Sequence, residues 1–165
     1  WNDKIFTSAA SVGNIETLTW LQRNHGLPND PRLCAVAAQS VQLDCLKWLR
    51  GLSPPSPWDE STSASAAAHN LEVLRWIRAQ DPPCPWNEDT FNAAVDWAEG
   101  SLETVQWMRS QDPPCPWDES TATMMATHGD LEMLRWARAQ DPPCPWDAEV
   151  CEAAAWLGHL EMLRW

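Results

Sequence analysis

Gly129-Asp130-Leu131-Glu132-Met133-Leu134-Arg135-Trp136-Ala137-Arg138-Ala139-Gln140-Asp141-Pro142-Pro143-Cys144-Pro145 reads as one short helix closed by a rigid turn. Asp130 is a good N-cap, and Glu132 places a carboxylate at the positive end of the helix dipole. Leu131, Leu134 and Ala137, with Met133 and Trp136 beside them, form a broad apolar face, and Glu132 and Arg135 are spaced as an i, i+3 pair. Pro142 and Pro143 lack N–H groups and stop the helix.

The same segment recurs along the chain. Trp20, Trp48, Trp76, Trp107, Trp136 and Trp165 close copies of it at spacings of 28, 28, 31, 29 and 29. A second column holds Trp1, Trp58, Trp86, Trp117 and Trp146, with Asn29 where another Trp is due. The 165 residues therefore divide into about six units of roughly 29: 1–28, 29–57, 58–85, 86–116, 117–145 and a truncated 146–165. Each unit opens with an Ala-rich helix, as in 61–68 and 148–155, and ends with the helix just described. Acidic residues occupy N2 of that second helix in every copy: Glu16, Asp44, Glu72, Glu103, Glu132 and Glu161. Arg23, Arg50, Arg78, Arg109 and Arg138 lie in its last turn, where a cation suits the negative end of the dipole. One helix pair cannot bury its apolar face alone, so neighbouring copies must stack into one domain spanning 1–165.

Ala154-Ala155-Trp156-Leu157-Gly158-His159-Leu160-Glu161 and Ala9-Ala10-Ser11-Val12-Gly13-Asn14-Ile15-Glu16 resemble the helix–turn–helix core of the ankyrin repeat. The chain is similar to a divergent ankyrin-like class with a Cys-Pro-Trp-Asp junction. The resemblance implies an all-α, ankyrin-like α-solenoid. Its units are about four residues short, and the deficit falls where ankyrin proteins build a β-hairpin finger. Gln80-Asp81-Pro82-Pro83-Cys84-Pro85-Trp86 holds three prolines, so a tight proline-rich turn and few or no strands are expected there. Unit three lacks a residue between its helices, and unit four gains two in 95–100. The two ends, without polar capping repeats, read as those of a fragment of a longer array.

Composition narrows the function. With 23 acidic and 11 basic residues, net charge −12, and Lys4 and Lys47 as the only lysines, the chain repels phosphate backbones, and no nucleic-acid partner is expected. The longest apolar runs, 34–38 and 153–157, are far short of a membrane span, so no direct membrane insertion is expected. Cys84, Cys115 and Cys144 form one column whose members stand about 8–10 Å apart, too far for disulfides. They read as free, buried structural thiols, which fits an intracellular reducing compartment: cytosol, nucleus or organelle interior. Cys34, Cys45 and Cys151 read as small core residues on helices. The column lacks His or Cys partners at zinc spacing, so no metal and no cofactor are expected. Glu88-Asp89, Asp118-Glu119 and Asp147 with Glu149 recur at helix starts as caps rather than as an acid–base pair. A catalytic site is single, whereas everything here repeats, and no enzymatic activity is expected. The tryptophans read as a core ladder.

Residues that break the repeat are free to specialise. By resemblance to ankyrin proteins, the pair following Ala-Ala lies on a concave rim that recognises partners. That column holds Ser11 and Val12, Gln39 and Ser40, His69, Val95, Asp96, Trp97 and Glu99 of the expanded loop, Thr127 and His128, and Trp156 and Leu157. Trp97 and Trp156 are the best anchors, since Trp dominates interface hot spots. A non-enzymatic protein-binding module with a neutral or basic partner patch is expected. The alternatives are an accessory architectural subunit of a large, possibly membrane-associated assembly, a thiol- or metal-dependent enzyme, and an RNA-binding helical array.

Overall fold

The computed structural model describes residues 3–96 and 102–165. Among the described residues there are twelve helices and no strand. The first helices of the successive pairs are α1 (Asp3–Ser11), α3 (Arg32–Gln39), α5 (Glu60–His69), α7 (Glu88–Asp96), α9 (Glu119–His128) and α11 (Ala148–Leu157). The second helices are α2 (Ile15–His25), α4 (Leu43–Arg50), α6 (Leu71–Arg78), α8 (Leu102–Arg109), α10 (Leu131–Arg138) and α12 (Leu160–Arg164). The chain forms two compact units, Trp1–Trp86 and Asn87–Trp165, three helix pairs in each. In the first, α3 packs between α1 and α5; in the second, α9 packs between α7 and α11, and every first helix also packs on its own second helix.

The interior follows one pattern. The first helices α3, α5, α7 and α9 bury adjacent pairs of residues four apart: Leu33, Cys34, Ala37 and Ala38 in α3, Thr62, Ser63, Ala66 and Ala67 in α5, Thr90, Phe91, Ala94 and Val95 in α7, and Thr121, Ala122, Met125 and Ala126 in α9. Small residues at these positions let neighbouring helices approach closely. Each second helix of eight residues or more buries two positions three apart, such as Leu18 and Leu21, Leu46 and Leu49, Leu74 and Ile77, or Leu134 and Ala137. The caps behave as their chemistry dictates. Asp59, Asp118 and Asp147 accept backbone N–H bonds at the starts of α5, α9 and α11, while Asn14, Asn70 and Asp130 do so for α2, α6 and α10. Burial alone would raise the Asp118 carboxyl, but hydrogen bonds from Ser120 and Thr121 outweigh it and hold the group below the usual carboxylate range.

None of the described tryptophans is buried, so the expected core ladder is instead a half-exposed layer over the seams. An indole is too large for an interior built from Ala, Leu and Thr, and its N–H needs an accessible partner. Trp58, Trp117 and Trp146 are each held from two sides. Within its own repeat each meets the second-helix Trp edge to face, with centroids 6.4 Å apart for Trp58–Trp76, 6.1 Å for Trp117–Trp136 and 5.8 Å for Trp146–Trp165. From the preceding repeat an arginine lies on the junction ring: Arg50 on Trp58 and Arg78 on Trp86 at 3.8 Å, Arg109 on Trp117 at 4.0 Å and Arg138 on Trp146 at 4.7 Å. The same guanidinium donates to the carbonyl two residues before the Trp, at 2.6 Å for Ser56, 2.8 Å for Cys115 and 2.6 Å for Cys144. These arginines therefore clamp a junction as well as facing a helix C-terminus.

The proline turn is folded back by the N–H of Cys84, Cys115 and Cys144, which donate to the carbonyls of Ile77, Met108 and Ala137. Gln80, Gln111 and Gln140 donate their side-chain amides to the carbonyls of Trp76, Trp107 and Trp136 and so cap the helix ends. The peptide bonds Ser53-Pro54, Asp81-Pro82, Asp112-Pro113 and Asp141-Pro142 are cis.

Between paired helices the chain turns through a left-handed residue, which is Gly13, Gly129 or Gly158 in three copies but Val41, at φ 57°, in the second. A β-branched side chain in this region costs about 1–2 kcal/mol. Val41→Gly is expected to stabilise the protein by about 1 kcal/mol after the entropy lost by glycine, raising Tm by about 2–4 °C. Thermal unfolding followed by circular dichroism checks this.

Candidate interaction surface

The rim column is set by these turns. Where a short cap is lacking, a longer side chain at the same place reaches back over the preceding glycine. Gln42 lies against Gly13 and His159 against Gly129, so that a Cβ added to Gly129 would stand 2.6 Å from the His159 ring. His159 Nε2 is also 3.1 Å from the Thr127 carbonyl. The turns of neighbouring repeats are thereby fixed in register.

On this frame the described rim residues differ in exposure. Val12, Gln39, Asp96, Thr127, His128, Trp156 and Leu157 are exposed; Ser11, Ser40 and His69 are half-buried. Several of the polar ones are tied to their own helices. The Ser11 hydroxyl donates to the Ser8 carbonyl and that of Thr127 to the Thr123 carbonyl, both at 2.9 Å, while His69 and His128 place Nδ1 3.0 and 2.9 Å from the carbonyls four residues earlier. His128 Nε2 lies 3.8 Å from Asp96 Oδ1, so the structure brings these two neighbours of the column together. Trp97 and Glu99 lie outside the described residues.

Val95 is the correction. It is 4% exposed and belongs to the inward face of α7 with Thr90, Phe91 and Ala94. The core pair of this repeat is Ala94-Val95 rather than Ala93-Ala94, which moves the rim one residue on, to begin at Asp96. Two consecutive alanines marked the wrong pair because a helix buries by angle and not by residue type.

The apolar members stand out. Trp156 is 88% exposed and Val12 69%, against complete or near-complete burial of the adjacent Ala-Ala or equivalent columns in the interior repeats. Leu157 adds to Trp156, so a planar ring and an aliphatic side chain sit together on the α11 turn.

The thiols are not part of this surface. Cys84 and Cys115 donate their S–H to the carbonyls of Asp59 and Asn87, the cap residues of the same repeat's first helix, at 3.3 and 3.5 Å. All six cysteines are free, and Cys151, expected in the core, is the exposed one. Burial pushes Cys34 and Cys45 up to about 11 and Cys84 and Cys144 up to about 12. They are protonated at neutral pH and chemically inert. Native protein titrated with a disulfide reagent at pH 8 is expected to show one fast thiol, Cys151, and the remaining five only after denaturant is added. Because the folded values are raised, their stabilisation is complete below the ordinary thiol value near 9 and is lost as the pH climbs toward about 12. Urea midpoints are therefore expected to fall steadily above pH 9.

Among the described residues no group of three His, Cys, Asp or Glu side chains is placed to hold a metal ion, and no helix is long and apolar enough to cross a membrane. No protein-family model matches the chain, and a search of curated proteins found no significant relative.

Proposed function

We propose that this chain is a non-enzymatic, ankyrin-like array of helix pairs that binds another protein through the rim formed by its inter-helix turns. The single observation that supports this best is the exposure of Trp156, at 88%, with the exposed Leu157 beside it on the α11 turn. A solvent-facing indole beside an aliphatic side chain suits an interface anchor, since Trp is enriched among binding hot spots. The partner carries a neutral or basic patch: the chain has a net charge of −12, and four of its arginines are engaged with indoles and backbone carbonyls.

Affinity capture from native lysate with the wild-type chain and with Trp156→Ala tests this reading. Trp156 is so exposed that the substitution should change stability by no more than about 0.5 kcal/mol. A defined protein recovered by the wild type and lost by the folded variant is the expected result. Equal recovery by both would remove the rim from consideration, and an architectural role within a larger assembly would then fit better.

A further inference from the structure

We propose that the junction between the first and second repeats is a docking groove for an arginine side chain from a basic segment of the partner, an inference that rests on the protein-binding reading above. At the next four junctions an arginine covers a tryptophan. The first junction has neither. Following the two buried leucines of the second helix, Gln22 stands after Leu18 and Leu21 where Arg50 stands after Leu46 and Leu49. Asn29 precedes Asp30 as Trp58 precedes Asp59, and each aspartate accepts the backbone N–H two residues on, of Arg32 and of Ser61. Both halves of the clamp are thus missing from one place.

A groove of about 420 Å³ opens there. Its lining includes Gln22, Leu27, Pro28 and Asn29 from the first junction and Leu52 and Pro55 from the second. The size falls within the range of sites that enclose small ligands or single anchoring side chains. Leu27 occupies the position whose carbonyl, in Ser56, Cys115 and Cys144, accepts the clamping guanidinium, and among the described residues its own carbonyl accepts no hydrogen bond. The side-chain amides of Gln22 and Asn29 make no hydrogen bond among the described residues either. The groove therefore offers unpaired carbonyl acceptors between apolar proline and leucine walls. A guanidinium supplies five donors in a plane and is weakly hydrated, which suits both features; an ammonium is compact and strongly hydrated and suits neither as well. The net charge of −12 draws a cationic segment to the surface, and the groove then selects within it.

The test is a titration of isotope-labelled protein, followed by backbone amide shifts, with an acetylated Gly-Arg-Gly-Arg-Gly-Arg-Gly peptide and its lysine counterpart. Saturable shifts centred on Gly26, Leu27, Asn29 and Ser53 are expected, with the arginine peptide binding at least roughly five-fold more tightly than the lysine one. The variant Gln22→Arg with Asn29→Trp rebuilds the clamp and should abolish these shifts while keeping or raising thermal stability. Equal affinity for the two peptides, shifts spread over the acidic surface, or binding unchanged in the folded double variant would each overturn the proposal. So would a stronger response of the same amides to tryptophanamide, which would mark an indole site. The titration needs no cellular partner, so its failure leaves the rim reading standing, and failure of the lysate capture leaves the groove to be judged here.

Discussion

Phe91→Ala should cost about 3–5 kcal/mol, the largest loss expected from any single truncation in the second unit. Phe91 is completely buried on the inward face of α7 and meets the Trp117 ring edge to face at 5.5 Å. Removing it leaves a cavity between α7 and α9, which pack directly on one another, and strips an aromatic partner from a junction indole. The equivalent positions in α5 and α9 hold Ser63 and Ala122, whereas α1 places the buried Phe6 there, so within the second unit α7 differs from α9 in filling the space with a ring. Urea unfolding followed by tryptophan fluorescence measures the loss. A change below about 1 kcal/mol would mean that the site is not packed as described.

Arg109→Ala should cost roughly 2–4 kcal/mol, although no carboxylate pairs with it among the described residues. The guanidinium stands 4.0 Å from the Trp117 ring centroid and donates to the Cys115 carbonyl at 2.8 Å. A charge-assisted hydrogen bond contributes about 1.5–3 kcal/mol and a partly desolvated cation–π contact about 0.5–2. Arg109→Lys keeps the charge but loses the planar fork, and should recover less than half of the loss. A double-mutant cycle with Trp117→Leu isolates the ring contact, for which a coupling of about 0.5–2 kcal/mol is expected. Zero coupling would reduce Arg109 to a helix-dipole partner, the role its position in the last turn alone implied.

That contrast shows what the sequence could carry. Helix existence and pairing were legible because the second-helix face, its acidic N2 and its proline stop recur in register, and six copies averaged out local noise. The caps were legible for the same reason, since Asp118 or Asn70 has a local job. The junction was only half legible. An arginine in the last turn answers the dipole whether or not a ring lies eight residues on, and the spacing Arg109 to Trp117 becomes a contact only once the prolines fold the chain back.

Burial was harder still. Trp looks like the heart of a core by hydrophobicity, yet the volume between closely packed Ala-faced helices excludes it, and only the packing distance of the helices could reveal this. The rim was legible as a column but not in its register at the fourth repeat, where Ala93-Ala94-Val95 offers two alanine-led pairs and the helix angle selects the second. Gln42 and His159 were also missed in their reach across to Gly13 and Gly129, a contact between repeats that leaves no signature within one.

Hydrogen exchange of the backbone, compared between the free chain and its complex with the captured partner, tests the central proposal most directly. Protection on binding should concentrate at the turns, around Val12, Thr127 to His128 and Trp156 to Leu157, with the outward ends of the proline junctions at Asp112 and Asp141 unchanged. Protection confined to those junctions, with the turns exchanging as in the free chain, would contradict a rim-binding module.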